Sequence, residues 1–122
     1  MTKRNIVHIE IPSRSHEEAG KFYGELFGWK MTPMPEMNYM LWEPAEGPGG
    51  GFTSLSETKV GEVLIYVDSD DIEADLKKAK SLGAKMVAPK TEIPGIGWFG
   101  VFEDLTGNKI TLYTSMDPNY NK

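Results

Sequence analysis

The sequence predicts an α+β fold made of two tandem β-α-β-β-β modules, the first over about residues 5–55 and the second over about 63–115. Three observations carry that expectation. Two segments with helical apolar spacing each follow an alternating, strand-like run. Each helical segment stops at a glycine inside a matching tetrapeptide, Gly28-Trp29-Lys30-Met31 and Gly83-Ala84-Lys85-Met86. Beyond each match lie a strand, a turn and another strand. Two copies are too few for a solenoid, so a paired duplication is the simpler reading.

The first strand is NIVHIEIP, residues 5–12, with Val7, Ile9 and Ile11 on one face and Ile6, His8 and Glu10 on the other. Ser15 and Glu18 then form a capping box that starts a helix. Ala19, Phe22, Tyr23, Leu26 and Phe27 follow the spacing of a core-facing stripe, and Gly28 supplies the left-handed stop. His16 falls in the first turn on the polar side and reads as a solvated residue. YMLWE and GGGFTSL complete the first module, and SETKVGE, residues 56–62, is the natural joint.

The second module opens with VLIYVD and an aspartate-rich helix start. Ile72, Leu76, Ala79 and Leu82 point inward, Gly83 is the stop, and Lys77, Lys78 and Lys80 lie on the solvated side. WFGVFE and NKITLYT are its last strands. Two tempting motifs fail. Gly95, Gly97 and Gly100 spell G-x-G-x-x-G, but a β-type run follows where the dinucleotide fingerprint needs a helix. EGPGGG, residues 46–51, resembles a phosphate cradle, yet no G-K-[ST] or helix start follows, so it reads as a mobile turn.

Composition narrows the function. With 122 residues the chain is one domain, and with no cysteine it has no disulfide, thiolate nucleophile or thiolate metal site. Thirteen basic and eighteen acidic residues give a net charge of −5, which speaks against nucleic acid as a partner. The N-terminal apolar run is broken by His8, Glu10 and Pro12, so neither a signal peptide nor a membrane span is expected, and a cytoplasmic protein is the default.

The duplicated order, the H-x-x-I pattern at His8, the helix ending FYGELFGWK and the closing FEDLTGNKITLY resemble the vicinal oxygen chelate superfamily. Its members include glyoxalases, extradiol dioxygenases, fosfomycin-modifying enzymes and bleomycin-binding resistance proteins. The resemblance implies curled sheets around a central cavity with the helices outside. It also implies a homodimer, since edges and apolar surface of such sheets need cover.

In metal-using members a first-module histidine is joined by a ligand opening the second module and by a glutamate in the last strand. His8 matches the first position, but Leu64 and Thr111 fall at the other two. His8 is the only match, so no cofactor and no divalent metal is expected. Two readings of His8 stay open: a hydrogen-bonding or general-base group working with Glu10, and a buried, satisfied histidine.

Aromatic residues outside the helix stripes suggest a ligand with an aromatic or apolar body. Tyr66 shares a face with Leu64, and Tyr113 shares one with Thr111. Trp98 and Phe99 follow the loop IPGIG at an expected cavity mouth, and Trp42 is a further candidate. The bland alternative for each ring is a second hydrophobic layer. The expected function is therefore small-molecule binding without a complete metal site. The alternative is a lyase, dioxygenase or isomerase of the same superfamily using His8.

Overall fold

A computed structural model of the chain describes residues 3–120. It divides into two compact units, one of residues 8–64 and one of residues 65 onward together with the start of the chain through Val7.

The first unit runs β1 (Ile6–Ser13), α1 (His16–Phe27), β2 (Lys30–Met34), a 3-10 turn (Pro35–Met37), β3 (Tyr39–Glu43) and β4 (Gly49–Ser54). Its strands lie in the order β2-β3-β4-β1, with β1 parallel to β4 and the others antiparallel. The helix starts as the sequence predicts: Glu18 N–H donates to Ser15 Oγ at 3.2 Å. It also ends there, since Gly28 has φ of +75° and donates its N–H to Gly24 O at 2.9 Å.

Which face of α1 is seated differs from the apolar count. The seated stripe is His16, Gly20 and Tyr23. A Cβ at Gly20 would stand 2.8 Å from Met40 Sδ, so the helix closes on the sheet there because the position is empty. Tyr23 stacks on Phe52 at 5.7 Å and on Trp29 at 5.4 Å, and Trp29 stacks on Trp42 at 4.2 Å. Phe52 and Trp42 are 0% and 3% exposed, and they anchor this core. Phe22, Leu26 and Phe27, expected inside, are 59%, 58% and 56% exposed. The small residue, not the large ones, sets the buried side. Leu26→Ala is consequently expected to shift the unfolding free energy by less than about 1 kcal/mol in urea titrations, against the 2–5 kcal/mol typical of a buried leucine.

The second unit contains β5 (Leu64–Asp68), α2 (Ile72–Ser81), β6 (Lys85–Ile93), β7 (Gly97–Glu103) and β8 (Lys109–Ser115). The order is β5-β8-β7-β6, with β5 parallel to β8. Asp71 caps α2 by accepting from Ala74 N–H at 3.0 Å. Ile72 and Leu76 meet Leu112, with Val67, Trp98 and Phe102 packed around them. Gly100 makes room, because a Cβ there would lie 2.8 Å from Ile72 and 3.0 Å from Leu76. Leu82, expected inward, is 69% exposed: the helix has already ended at Ser81. Arg4 pairs with Asp75, whose carboxylate also accepts from Ser69 Oγ at 2.6 Å, so the start of the chain is tied to α2.

Each unit is thus a four-stranded sheet with one helix across one face, the α+β arrangement that the sequence predicts. Among the described residues no helix is long and apolar enough to cross a membrane.

Candidate functional site

Alternation along the strands sorts the first module's side chains. Met40, Trp42 and Phe52 face α1, so His8 and Glu10 in β1 and Tyr39 in β3 share the helix-free face. The three converge. Tyr39 donates its hydroxyl proton to Glu10 Oε2 at 2.6 Å, and His8 Nε2 lies 2.6 Å from the same hydroxyl oxygen. Because that hydroxyl's one proton goes to Glu10, His8 Nε2 must be the donor to Tyr39, which makes Nδ1 the acceptor nitrogen of the ring.

Glycine makes this convergence possible. Gly51 stands opposite Glu10 in β4, and a Cβ there would collide with the Tyr39 ring, which lies across the strand to reach the carboxylate. At neighbouring Gly50 a Cβ would collide with Ile9 O and the Trp42 indole. The expected mobile turn at EGPGGG is therefore corrected: Gly49 to Gly51 are paired strand, and their missing side chains admit two aromatic rings.

Burial sets the charge state. Glu10 is 8% exposed, and desolvation lowers the His8 pKa from 6.5 to about 4. His8 Nε2 and Glu10 Oε2 are 3.9 Å apart, yet a neutral imidazole makes this no ion pair near pH 7; both contact each other through the Tyr39 hydroxyl. The unfolded chain protonates His8 first as the pH falls. Stability from this group is full above about pH 6.5, declines toward pH 4 and is lost below it. Between pH 7 and 4.5 the protein is expected to lose about 2–3 kcal/mol more stability than His8→Gln, measured by urea unfolding of both.

The donor set does not fit a divalent metal of the kind that some members of the superfamily carry. At the three matching positions stand one imidazole, Leu64, which has no donor atom, and Thr111, whose neutral hydroxyl is a poor one.

In the second module Val67 and Leu112 pack toward α2, which leaves Tyr66, Thr111 and Tyr113 on the helix-free face. Phe99 pairs with Tyr113 and shares that face. Two expected ligand contacts are placed elsewhere. Trp98 belongs to the α2 core, with Lys90 Nζ 5.4 Å from its ring centroid, because the parity of β7 puts it with Gly100 and Phe102. Trp42 is stacked on Trp29 toward α1, with its Nε1 donating to Gly51 O at 3.1 Å.

Sequence reasoning missed Tyr39 as a partner of His8. A tyrosine opening β3 and the glycine run of β4, in which Gly51 stands opposite Glu10, were the available signals. It also misjudged His16. Nε2 donates to Asn38 O at 3.0 Å and Nδ1 accepts from Ser13 Oγ at 2.8 Å, so this ring ties the start of α1 to the turn before β3 rather than standing in solvent.

A family model described as a glyoxalase-like domain matches residues 7–113. The chain belongs to that family, within the vicinal oxygen chelate superfamily. A glyoxylase-like domain-containing protein of Didymella fabae is 28% identical over 115 residues, covering 87% of this chain and 90% of the relative. Among solved structures, a glyoxalase/bleomycin resistance protein/dioxygenase superfamily member from Vibrio splendidus matches with a TM-score of 0.69 at 12% identity, covering 91% of this chain and 98% of that one. The Mn(II)-bound glyoxalase from Novosphingobium aromaticivorans matches with a TM-score of 0.68 at 15% identity, covering 91% of this chain but 38% of that chain. At these identities the structural likeness carries the fold alone.

Proposed function

We propose that this protein binds a small organic molecule through the helix-free face of its first module, without a divalent metal. One observation carries the reading: His8, Tyr39 and Glu10 are bound to one another through a single hydroxyl, so the one side chain that matches a metal-ligand position is engaged in a hydrogen-bonded cluster. Such a cluster fixes a neutral imidazole, a phenol and a buried carboxylate on one face. Those groups orient a polar substituent while the ligand's apolar body is buried. In the second module, taken by itself, the proposed ligand contacts are Tyr66, Phe99 and Tyr113; Thr111, named with them from the sequence, is 2% exposed and offers no surface.

A second reading is an enzyme that moves a proton without metal. It is favoured by geometry: His8 Nε2, the Tyr39 hydroxyl and Glu10 Oε2 form a continuous hydrogen-bonded chain along which a proton can be passed. Pairing of chains belongs to the same proposal, because a homodimer would cover rings that α1 leaves exposed, Phe22 and Phe27 among them.

A ligand screen by thermal shift tests the binding reading, since a ligand that prefers the native state raises its stability by mass action. Hits are expected to be equally effective with EDTA and with added zinc or manganese, and to weaken about tenfold or more on Tyr39→Phe. Hits that need the metal, or that ignore Tyr39→Phe, would displace this reading.

A further inference from the structure

The chain after β8 turns back on the second module. Met116 N–H donates to Ile96 O at 2.9 Å and anchors the segment. Asp117 N–H then donates to Ser115 Oγ at 3.0 Å, Asn119 N–H to Asp117 Oδ1 at 2.9 Å, and Tyr120 N–H to Asp117 O at 3.1 Å. This short turn brings the Tyr120 ring to 5.6 Å from that of Tyr113, at 71° between planes. Tyr113 is in turn 6.3 Å from Tyr66 at 64°. Both contacts are edge-to-face, the preferred geometry for aromatic pairs. The helix-free face of the second module therefore ends in a row of three rings, and the outermost comes from a segment that is neither helix nor strand.

Asp68 gives the row its electrostatic character. It stands opposite Tyr113 in the β5–β8 register, on the same face as Tyr66. Burial raises both phenol pKa values, that of Tyr120 to about 12, and the Asp68 charge adds to the shift at each. The hydroxyls stay protonated, and an anion brought to this row would meet the Asp68 carboxylate.

We propose that Tyr120 occupies in cis an aryl subsite against the Tyr113 ring, and that an uncharged aromatic ligand enters by displacing it. This deepens the ligand-binding reading above and rests on it. The exchange replaces ring by ring, so the contacts made by Tyr120 are those that the ligand regains. Among the described residues, Asp117 to Tyr120 make local turn hydrogen bonds and the ring contact with Tyr113, which makes these four the part able to lift. Tyr120 then acts as a competitor that lowers the apparent affinity by the fraction of time it is seated.

The test is an NMR titration of p-cresol and of p-toluate against the full chain, Tyr120→Ala and Tyr120→Phe. Tyr120→Ala is expected to bind p-cresol roughly tenfold more tightly than the unaltered chain, while Tyr120→Phe, which keeps the ring, binds as the unaltered chain does. Bound p-cresol should move the Tyr120 ring and the 117–120 amide signals toward unstructured values and leave Met116 in place. The anionic p-toluate should bind at least about tenfold more weakly than p-cresol. Equal or weaker p-cresol binding by Tyr120→Ala, unmoved Tyr120 signals at saturation, or no p-cresol binding by any variant would each overturn the proposal. The signal shift in the unaltered chain decides the matter if Tyr120→Ala does not fold. The screen with Tyr39→Phe judges the broader reading separately, because it perturbs the first module alone.

Discussion

Phe52→Ala is expected to lower the unfolding free energy by about 3–5 kcal/mol, the range for removing a fully buried phenyl ring. Phe52 is completely buried, and its ring is the one on which Tyr23 and His16 both lie, at 5.7 and 6.5 Å. Removing it takes away the contact that seats α1 on β4, and little nearby can collapse into the space, since Trp42 is itself fixed by stacking on Trp29 and by its hydrogen bond to Gly51 O. Domains of this size are commonly stable by only about 5–15 kcal/mol, so the variant should be marginal at room temperature. Urea unfolding followed by tryptophan emission gives the number. A loss below about 1 kcal/mol would show that the stack around Phe52 is not the first module's core.

Gly51→Ala is expected to be the single most damaging change to the site. Its Cβ would take space now filled by the Tyr39 ring, so the ring must leave and both of its hydrogen bonds must break. The stability cost is expected at about 2–3 kcal/mol, with overpacking and the lost bonds both contributing. Ligand stabilisation should vanish as well. Tyr39→Phe offers the control: it removes the same hydroxyl without adding volume, and should lose ligand response at a smaller cost in stability. If Gly51→Ala binds ligand normally while remaining folded, the Tyr39 bridge plays no part in binding.

Much of the architecture was legible because local signals repeat. The capping serine at Ser15, the left-handed glycine at Gly28 and the alternating faces of β1 act through nearest neighbours, and the structure uses each as written. His8 and Glu10 on a common face followed from the two-residue period of a strand. What could not be read were choices made across the sheet. Nothing local distinguishes the faces of Trp42 and Trp98 until the registers of β3 and β7 are fixed, and both prove to pack toward their helices. Tyr39 reaches Glu10 only because a glycine stands in another strand, a pairing separated by twelve residues of chain from Tyr39 to Gly51. Leu26 and Phe22 were misplaced for a related reason: counting large apolar residues overlooks the close approach that Gly20 permits.

The family places this chain among proteins of varied chemistry, and the state of His8 separates the metal-free account from the others. Long-range proton–nitrogen NMR of the His8 imidazole, recorded from pH 7 to 3.5 on metal-stripped protein and again with zinc added, reads that state directly. The account predicts a neutral ring protonated at Nε2 at pH 7, a titration near pH 4, and the same spectrum with zinc present. Loss of the Nε2 proton with a coordination shift at that nitrogen on adding one equivalent of zinc would contradict it.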